Sequence, residues 1–458
     1  MKRDTICAIS TPLGEGGIGI IRISGDDALE VGRGIFRSCR KGFKGFRPYT
    51  LHHGWIVSKE GHILDEVLVS YMPAPGSYTG EDVFEINCHG GPLLTQTILK
   101  EVLSRGVRLA DPGEFTLRAF LNGKMDLSQA EAVAEIISSP SPMAISSATQ
   151  KLSGHLTSLI HRLKNSLEEV MAHLAAYMDF EEDDIDLEPE EISLRIGSAI
   201  SLIEELMENY ERLRIFQEGA RIVLCGEVNA GKSSLLNALI GRRRAIVTPV
   251  PGTTRDYIEE FINLQGIPVR IIDTAGFRET HDEIEIVGME MGRELIEKGD
   301  LICLVYDHSC PFNENYLHYI LSLKTPREVL IIANKIDLPP YGRDPKDLFE
   351  KKGLKVVGVS AKKRINIDGL IGEMRKRLLG EEKEPRDGEI IPNLRQYTHL
   401  SMAHRELMDA LEGIKSSMEI DLIFSHLEKA RDHLREITGE ISTEDILDKI
   451  FSSFCIGK

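Results

Sequence analysis

The sequence predicts a multidomain α/β chain: a β-rich α+β N-terminal segment, an all-α helical domain, and a compact α/β unit inserted into the helical one. Three observations carry that prediction. Residues 226–233 read GEVNAGKS, a G-x-x-x-x-G-K-S phosphate loop directly behind a short apolar run. Apolar residues recur at helical spacing on both sides of that region, from Ala144 to Phe180 and from Leu394 to Lys458. Before Leu117 the apolar runs are short and punctuated by glycine and proline, as strands and turns are.

Taken in order, Gly19–Ser24, His53–Val57 and Asp82–Ile86 read as strands, and Pro73-Ala74-Pro75-Gly76 as a turn. A helix follows Pro92, and Trp55, in a strand-like run, reads as core. Arg118 to Glu218 reads as long helices, with Leu152, Leu156, Leu159, Leu163, Leu167, Met171 and Leu174 on one face. The acidic run Glu181-Glu182-Asp183-Asp184 is a solvated turn. A charged linker, Glu381 to Gly388, closes the inserted unit, and Leu407, Leu411, Ile414, Leu422, Leu427, Leu434 and Ile437 resume the helical pattern. The predicted division is 1–117, 118–218, 219–380 and 381–458, with 118–218 and 381–458 as two parts of one helical domain. A separate C-terminal helical domain is the alternative.

The inserted unit carries the chemistry. Arg221–Cys225 suits a buried strand, and Ser233–Ile240 continues as a helix. Backbone N–H groups and the helix N-terminus can therefore face phosphates. Lys232 can reach the β- and γ-phosphates, and Ser233 can ligate Mg²⁺. The strand Val269–Ile272 ends at Asp273-Thr274-Ala275-Gly276, where the carboxylate can hold Mg²⁺ and the glycine N–H can meet the γ-phosphate. The strand Val329–Ala333 ends at Asn334-Lys335-Ile336-Asp337, and Ser360-Ala361-Lys362 follows. Asp337 offers two acceptors to the donor pair on guanine's N1 and exocyclic N2 edge. Adenine lacks that pair and would leave the carboxylate unpaired. In this order the motifs say GTP, in a Ras-like α/β P-loop domain. The binding set is Asn229, Ala230, Gly231, Lys232, Ser233, Ser234, Asp273 to Gly276, Asn334, Lys335, Asp337, Ser360, Ala361 and Lys362.

Composition sets outer limits. A chain of 458 residues with 42% hydrophobic residues makes several cored domains. No run approaches the roughly 18 apolar residues of a membrane span, and no signal peptide is evident. Seven scattered cysteines suit reduced thiols in a cytoplasm. A net charge of −17 makes the chain a poor generic nucleic-acid binder, so any RNA contact is local or supplied by a more basic partner.

Segments outside the nucleotide motifs resemble one family from end to end. They are Thr11–Gly25 (TPLGEGGIGIIRISG), Tyr78–Asp82 (YTGED), His89-Gly90-Gly91, Pro112–Thr116 (PGEFT), Arg118–Leu127 (RAFLNGKMDL) and Phe454–Lys458 (FCIGK). With them the chain resembles the MnmE (TrmE) family of tRNA modification GTPases. The resemblance implies a homodimer that works with a flavin-dependent partner, MnmG (GidA), on carbon 5 of the wobble uridine, U34. The product is carboxymethylaminomethyl- or aminomethyl-uridine. A reduced one-carbon tetrahydrofolate, in the 5-formyl or methylene form, is implied on the N-terminal dimerisation domain, with contacts mapping to Arg22, Glu81, Lys124 and Lys458. Charge logic agrees in part: Arg22 or a lysine suits the folate glutamate tail, and Glu81 suits pterin N–H groups.

The resemblance also implies a GTPase mechanism with potassium in place of an arginine finger, switched on by pairing of nucleotide domains. Phe277 stands where a water-orienting glutamine is usual, and the family role falls on Glu285, with Glu283 as the fallback. Lys232 and Glu285 form the catalytic pair. Asn229, Thr248, Val250 and Thr253 are implied potassium ligands, and Thr254 a second Mg²⁺ ligand beside Ser233, with Thr248, Thr253 and Thr254 also meeting GTP. Glu227-Val228 and Ile286 depart from the family pattern. Cys455 reads either as a nucleophile towards the uridine ring or as a small apolar residue packing near the folate pocket. Two other classes remain open, a regulatory switch and a ribosome-associated P-loop GTPase.

Overall fold

Residues 4–179, 189–227, 229–241, 259–273, 299–312, 314, 318, 328–342, 345–380, 386, 388–416, 418–452 and 454–458 are described in this computed structural model. The chain groups into two units. The first comprises Met1–Ala134, Lys151–Ile203 and Thr398–Lys458, and the second Glu135–Gln150 and Glu204–Tyr397.

In the first unit, alternating apolar residues build a sheet whose main core lies against one face, with a smaller cluster of Ile6, Ala8, Ala110 and Phe115 on the other. Its strands are β1 (Ile6–Ile9), β2 (Ile18–Ser24), β3 (Phe36–Ser38), β4 (His52–Val57), β5 (Ile63–Met72), β6 (Val83–His89) and β7 (Arg108–Leu109). They lie in the order β3-β4-β5-β6-β2-β1-β7, with every neighbouring pair antiparallel except β1 with β7. Ile21, Ile23, Ile56, Val67, Val69, Phe84 and Ile86 meet Val31 and Ile35 of helix α1 (Ala28–Ile35) and Ile98 and Val102 of α2 (Pro92–Leu103). Because side chains alternate across a strand, Arg22 and Ser24 share one face of β2 while Ile21 and Ile23 share the other.

The helices α3 (Glu114–Leu121), α4 (Leu127–Ser138), α5 (Pro142–Leu152), α6 (His155–Asp179) and α7 (Pro189–Glu218) follow. The pattern read as continuous from Ala144 to Phe180 is broken at Gly154, whose φ of +87° ends one helix before α6 begins.

The second unit is an open sheet of β8 (Ala220–Gly226), β9 (Glu259–Leu264), β10 (Ile267–Asp273), β11 (Leu301–Asp307), β12 (Glu328–Asn334) and β13 (Val356–Gly358). The order is β13-β12-β11-β8-β10-β9, and only β9 is antiparallel to its neighbour. All of β11 is buried, as a parallel strand covered on both faces must be. One layer holds α8 (Lys232–Ile240) and α10 (Ile367–Leu379), joined by Leu213 and Phe216 of α7. The other packs Val223, Ile302, Leu304, Tyr306 and Ile331 on Phe349 of α9 (Lys346–Lys351). Hydrogen bonds from Ser141 Oγ to Phe216 O (2.8 Å) and from Ile391 N–H to Ser147 Oγ (2.7 Å) tie α5 and the end of α7 to this unit.

Helices α11 (Leu394–Lys415), α12 (Ile420–Thr438) and α13 (Glu444–Phe451) complete the chain. Within the first unit α12 lies along α6. Leu427, Leu434 and Ile437 are wholly buried with Leu156, and Lys164 pairs with Glu440 at 2.7 Å. The fold is the multidomain α/β arrangement read from the sequence, and no helix of the described residues is long and apolar enough to cross a membrane.

Leu434→Ala removes a fully buried side chain from this helical pair. It should destabilise the first unit by about 2–5 kcal/mol, seen as a lower urea midpoint by far-UV circular dichroism. An unchanged midpoint would show that α12 contributes little to this core.

Candidate functional site

The strand β8 delivers its chain into a loop that only glycine can shape. Gly226 (φ +128°) and Gly231 (φ +92°) flank it, and a Cβ on them would lie 2.0 Å from Val305 O and 2.4 Å from Asn334 Nδ2. Between them Asn229 also takes a left-handed φ of +62°. Lys232, 7% exposed, starts α8, and its ammonium donates to Gly226 O (2.9 Å) and Glu227 O (2.8 Å). It thus spans the loop. Ser233 and Ser234 follow in the first turn, where the positive end of the helix dipole favours anions.

Asn334, at the end of β12, is 1% exposed and joins three motifs. Its Nδ2 donates to Ala230 O at 2.9 Å, while its Oδ1 accepts from Lys335 N–H (2.9 Å) and Ala361 N–H (3.1 Å). Lys335 then takes a φ of +65° and donates to Asp307 Oδ2 at 2.6 Å. Burial opposes the Asp307 charge, but Lys335, Ser309 and Cys310 outweigh it and hold the carboxyl at about 2, against an ordinary 3.8.

A cleft of about 530 Å³ opens among Gly231, Asn237, Asn334, Lys335, Asp337 and Lys362. Ser360 chiefly, with Lys363 adding its charge from 3.6 Å, keeps Asp337 below the usual carboxylate range. An ionised carboxylate at the mouth of a cleft walled by aliphatic lysine stems can accept from two adjacent N–H groups on a flat base. The structure therefore brings together Asn229, Ala230, Gly231, Lys232, Ser233, Ser234, Asn334, Lys335, Asp337, Ser360, Ala361 and Lys362. Asp273 ends β10, directly beside β8. Thr248, Val250, Thr253, Thr254, Thr274, Ala275, Gly276, Phe277, Glu283 and Glu285 lie outside the described residues.

A second cluster sits on the Arg22 side of the N-terminal sheet, where Ile6 and Ala8 pack on Phe115 of α3. Arg22 donates through Nε to Glu85 Oε1 (2.7 Å) and through Nη1 to Gly457 O (3.4 Å), 5.6 Å from the ring centroids of both Tyr78 and Phe115. Lys458 accepts Phe115 N–H at its carbonyl (3.2 Å), and burial first, then the Arg22 charge, pushes its ammonium pKa down. Glu81, 7% exposed, accepts from Ser24 Oγ (2.8 Å) and from Arg118 Nη1 (3.2 Å). Lys124 runs beside Gly80 and donates to Pro75 O at 2.9 Å. Cys455 is exposed.

Family models match along both parts: one described as the MnmE helical domain over residues 127–455, another as the GTP-binding protein TrmE N-terminus over 5–124. A tRNA modification GTPase MnmE from Carboxydothermus hydrogenoformans is 43% identical over 100% of both chains. The chain belongs to the MnmE family of tRNA modification GTPases. Another MnmE, from Nitratidesulfovibrio vulgaris (strain DP4), is 45% identical over 99% of each chain, and one from Acetivibrio thermocellus is 42% identical over 100% of each. Among solved structures, the G domain of the T. maritima FeoB iron transporter covers 35% of this chain and 96% of its own at 26% identity. Its TM-score of 0.27 is too low to add to the sheet topology above. As an MnmE-family member the chain is a GTP-hydrolysing enzyme of tRNA modification.

Two groups in this MnmE-family chain escape motif reading. Asp307 has a signal in hindsight: it ends the apolar run Leu301–Tyr306, as Asp273 and Asn334 end theirs. Arg118, bound at once to Glu81, Glu114 (2.8 Å) and Asp4 (2.8 Å), is visible only as an i, i+4 pair with Glu114.

Asn334→Ala leaves Ala230 O and Ala361 N–H without their partner. The expected loss is about 2–4 kcal/mol, on the order of 10²-fold weaker binding of a fluorescent GDP analogue. Near-normal affinity would mean the loops hold their register unaided. Because the Asp307 pKa is depressed, its pair stabilises the second unit above pH 3.8 and loses that contribution as pH falls towards about 2. Asp307→Asn should flatten the acid limb of unfolding over that window, measured by far-UV circular dichroism in urea, whereas an unaltered limb would assign acid sensitivity elsewhere.

Proposed function

We propose that this chain is the GTP-hydrolysing component of the enzyme that modifies C5 of the tRNA wobble uridine, U34. In that reading it acts as a cytoplasmic homodimer with a flavin-dependent MnmG-type partner and a one-carbon tetrahydrofolate, giving carboxymethylaminomethyl- or aminomethyl-uridine. The observation that carries the nucleotide half is the Asn334 side chain, which joins the phosphate loop to the two base-reading motifs. Asp337 then reads guanine, and Lys232 leaves the loop carbonyls for the β- and γ-phosphates.

The donor sets suit the implied ions. Ser233, at the start of a helix, and Thr254 would hold Mg²⁺, with Asp273 within reach of it. Mg²⁺ would neutralise charge on the phosphates. Asn229, Thr248, Val250 and Thr253 supply only oxygen donors, the class potassium takes, and the left-handed backbone at Asn229 turns the loop sharply at that point. Glu285 would orient the attacking water. In the N-terminal domain, Arg22 and Lys458 form a cationic pair suited to a folate carboxylate, and the buried Glu81 and Lys124, which runs beside Gly80, complete the implied set. Bound there, the folate would supply a one-carbon unit. This reading keeps 1–117 as the dimerisation and folate segment, 219–380 as the GTPase, and 118–218 with 381–458 as the helical domain.

The test is GTP turnover in potassium against sodium chloride at equal ionic strength, with Asn229→Ala alongside. Acceleration of about tenfold or more by potassium, abolished in the variant, is the expected result. Equal rates in both salts would overturn the potassium mechanism.

A further inference from the structure

The charge of this chain is unevenly spread, and the unevenness points to a contact surface. Between Val31 and Lys59 there are seven Lys/Arg and no Asp/Glu, in a chain whose formal net charge is −17. Five of the seven, Arg37, Arg40, Lys41, Lys44 and Arg47, fall at the end of β3 and in the connection to β4, and all five are exposed. Among the described residues none of the five pairs with a carboxylate. The acids on β5, Asp65 and Glu66, are taken instead by His89 (2.8 Å) and His53 (2.7 Å). Uncompensated cations packed this closely repel one another, a cost that folding alone does not explain.

The connection is also held in shape. Phe36, Phe43 and Phe46 form a mutual ring cluster with centroids 5.2–5.9 Å apart, and Phe46 continues onto Phe84 at 5.0 Å. Arg47 N–H donates to His52 Nε2 at 3.0 Å, Cys39 N–H to His53 O at 3.2 Å, and Tyr49 N–H to Tyr71 O at 2.9 Å. The phenylalanines are therefore spent as the loop's anchor, while its cations face outward. Tyr49, 61% exposed, stands at the end of the same loop.

We infer that this loop is an RNA-backbone contact, in which Arg37, Arg40, Lys41, Lys44 and Arg47 pair with consecutive phosphates of tRNA. A preordered row of cations binds phosphates without losing loop entropy, and an exposed tyrosine ring offers a stacking face to an unpaired base. A lipid surface fits less well, because a membrane-binding element presents large apolar side chains and here the phenylalanines are turned inward. The contact also answers how an acidic chain meets a polyanion: through one local surface against an unfavourable overall field. The inference rests on the tRNA reading above.

The experiment is filter binding of an unmodified tRNA transcript to the full chain from 50 to 200 mM potassium chloride. Wild type is compared with Arg40→Ala/Lys41→Ala/Lys44→Ala and with the charge-keeping Arg40→Lys/Lys41→Arg/Lys44→Arg. Losing three phosphate contacts should flatten the slope of log affinity against log salt by about 2–3. Wild type then loses about 15–60-fold more affinity than the alanine variant over that range. GTP turnover should be unchanged in both variants, and the charge-keeping one should bind as wild type does. An alanine variant with wild-type slope and affinity would overturn the inference while leaving the modification reading intact. So would equal loss in the charge-keeping variant, or sedimentation with phosphatidylglycerol vesicles that tRNA does not compete away. Normal wobble-uridine nucleosides, by mass spectrometry, in cells lacking the chain would sink the modification reading but leave a salt-dependent RNA contact standing.

Discussion

The geometry of the nucleotide unit depends on the amide of Asn334. A primary amide has two donor hydrogens and a carbonyl with two lone pairs, and here the oxygen serves two backbone N–H groups while the nitrogen serves the phosphate loop. Those groups belong to loops that follow three different strands, β8, β12 and β13. Buried as it is, an unmet hydrogen bond at Asn334 would be costly, so the three loops are held to one mutual arrangement. An aspartate could not substitute: it lacks the donor for Ala230 O. Neither could a glutamine, whose extra methylene would push the close approach at Gly231 apart.

A comparable economy operates around Arg22, where the partners come from widely separated chain positions. Its guanidinium lies against Tyr78 and Phe115, pairs with Glu85 and meets the backbone at Gly457. Arg118 does the same for Glu81, which also accepts from Ser24, two residues beyond Arg22 on β2. Both arginines hold carboxylates beside the small apolar cluster of Ile6, Ala8, Ala110 and Phe115, so that charged groups and apolar cover share that side of the sheet.

Much of this was legible in the sequence, because the signals were local. The strand–loop–helix around Lys232, the strand ends at Asp273 and Asn334, and the helical spacing of Leu427, Leu434 and Ile437 depend only on neighbours in the chain. What escaped depended on distant partners. Arg118 reads as a surface helix residue until Glu81 and Asp4 are brought to it. Gly154 ends a helix that apolar periodicity alone would run through. The grouping of α5 with the nucleotide unit follows from Ser141 and Ser147, two hydroxyls that no pattern of hydrophobicity reports.

The Arg22–Gly457 contact closes a loop of 435 residues, which bears on the order in which the molecule assembles. In an unfolded chain the entropy of joining such distant points favours late formation. The second unit changes that arithmetic: Tyr210 stacks on Tyr397 at 4.3 Å, and Tyr397 Oη donates to Glu211 at 2.7 Å, so the entry and exit of the stretch Glu204–Tyr397 are clasped together. Once that clasp forms, the long intervening stretch behaves as a short tether. The N-terminal cluster is thereby assembled late, after its insert, and its refolding rate should follow the integrity of a stack of two tyrosines more than 180 residues along the chain from Arg22.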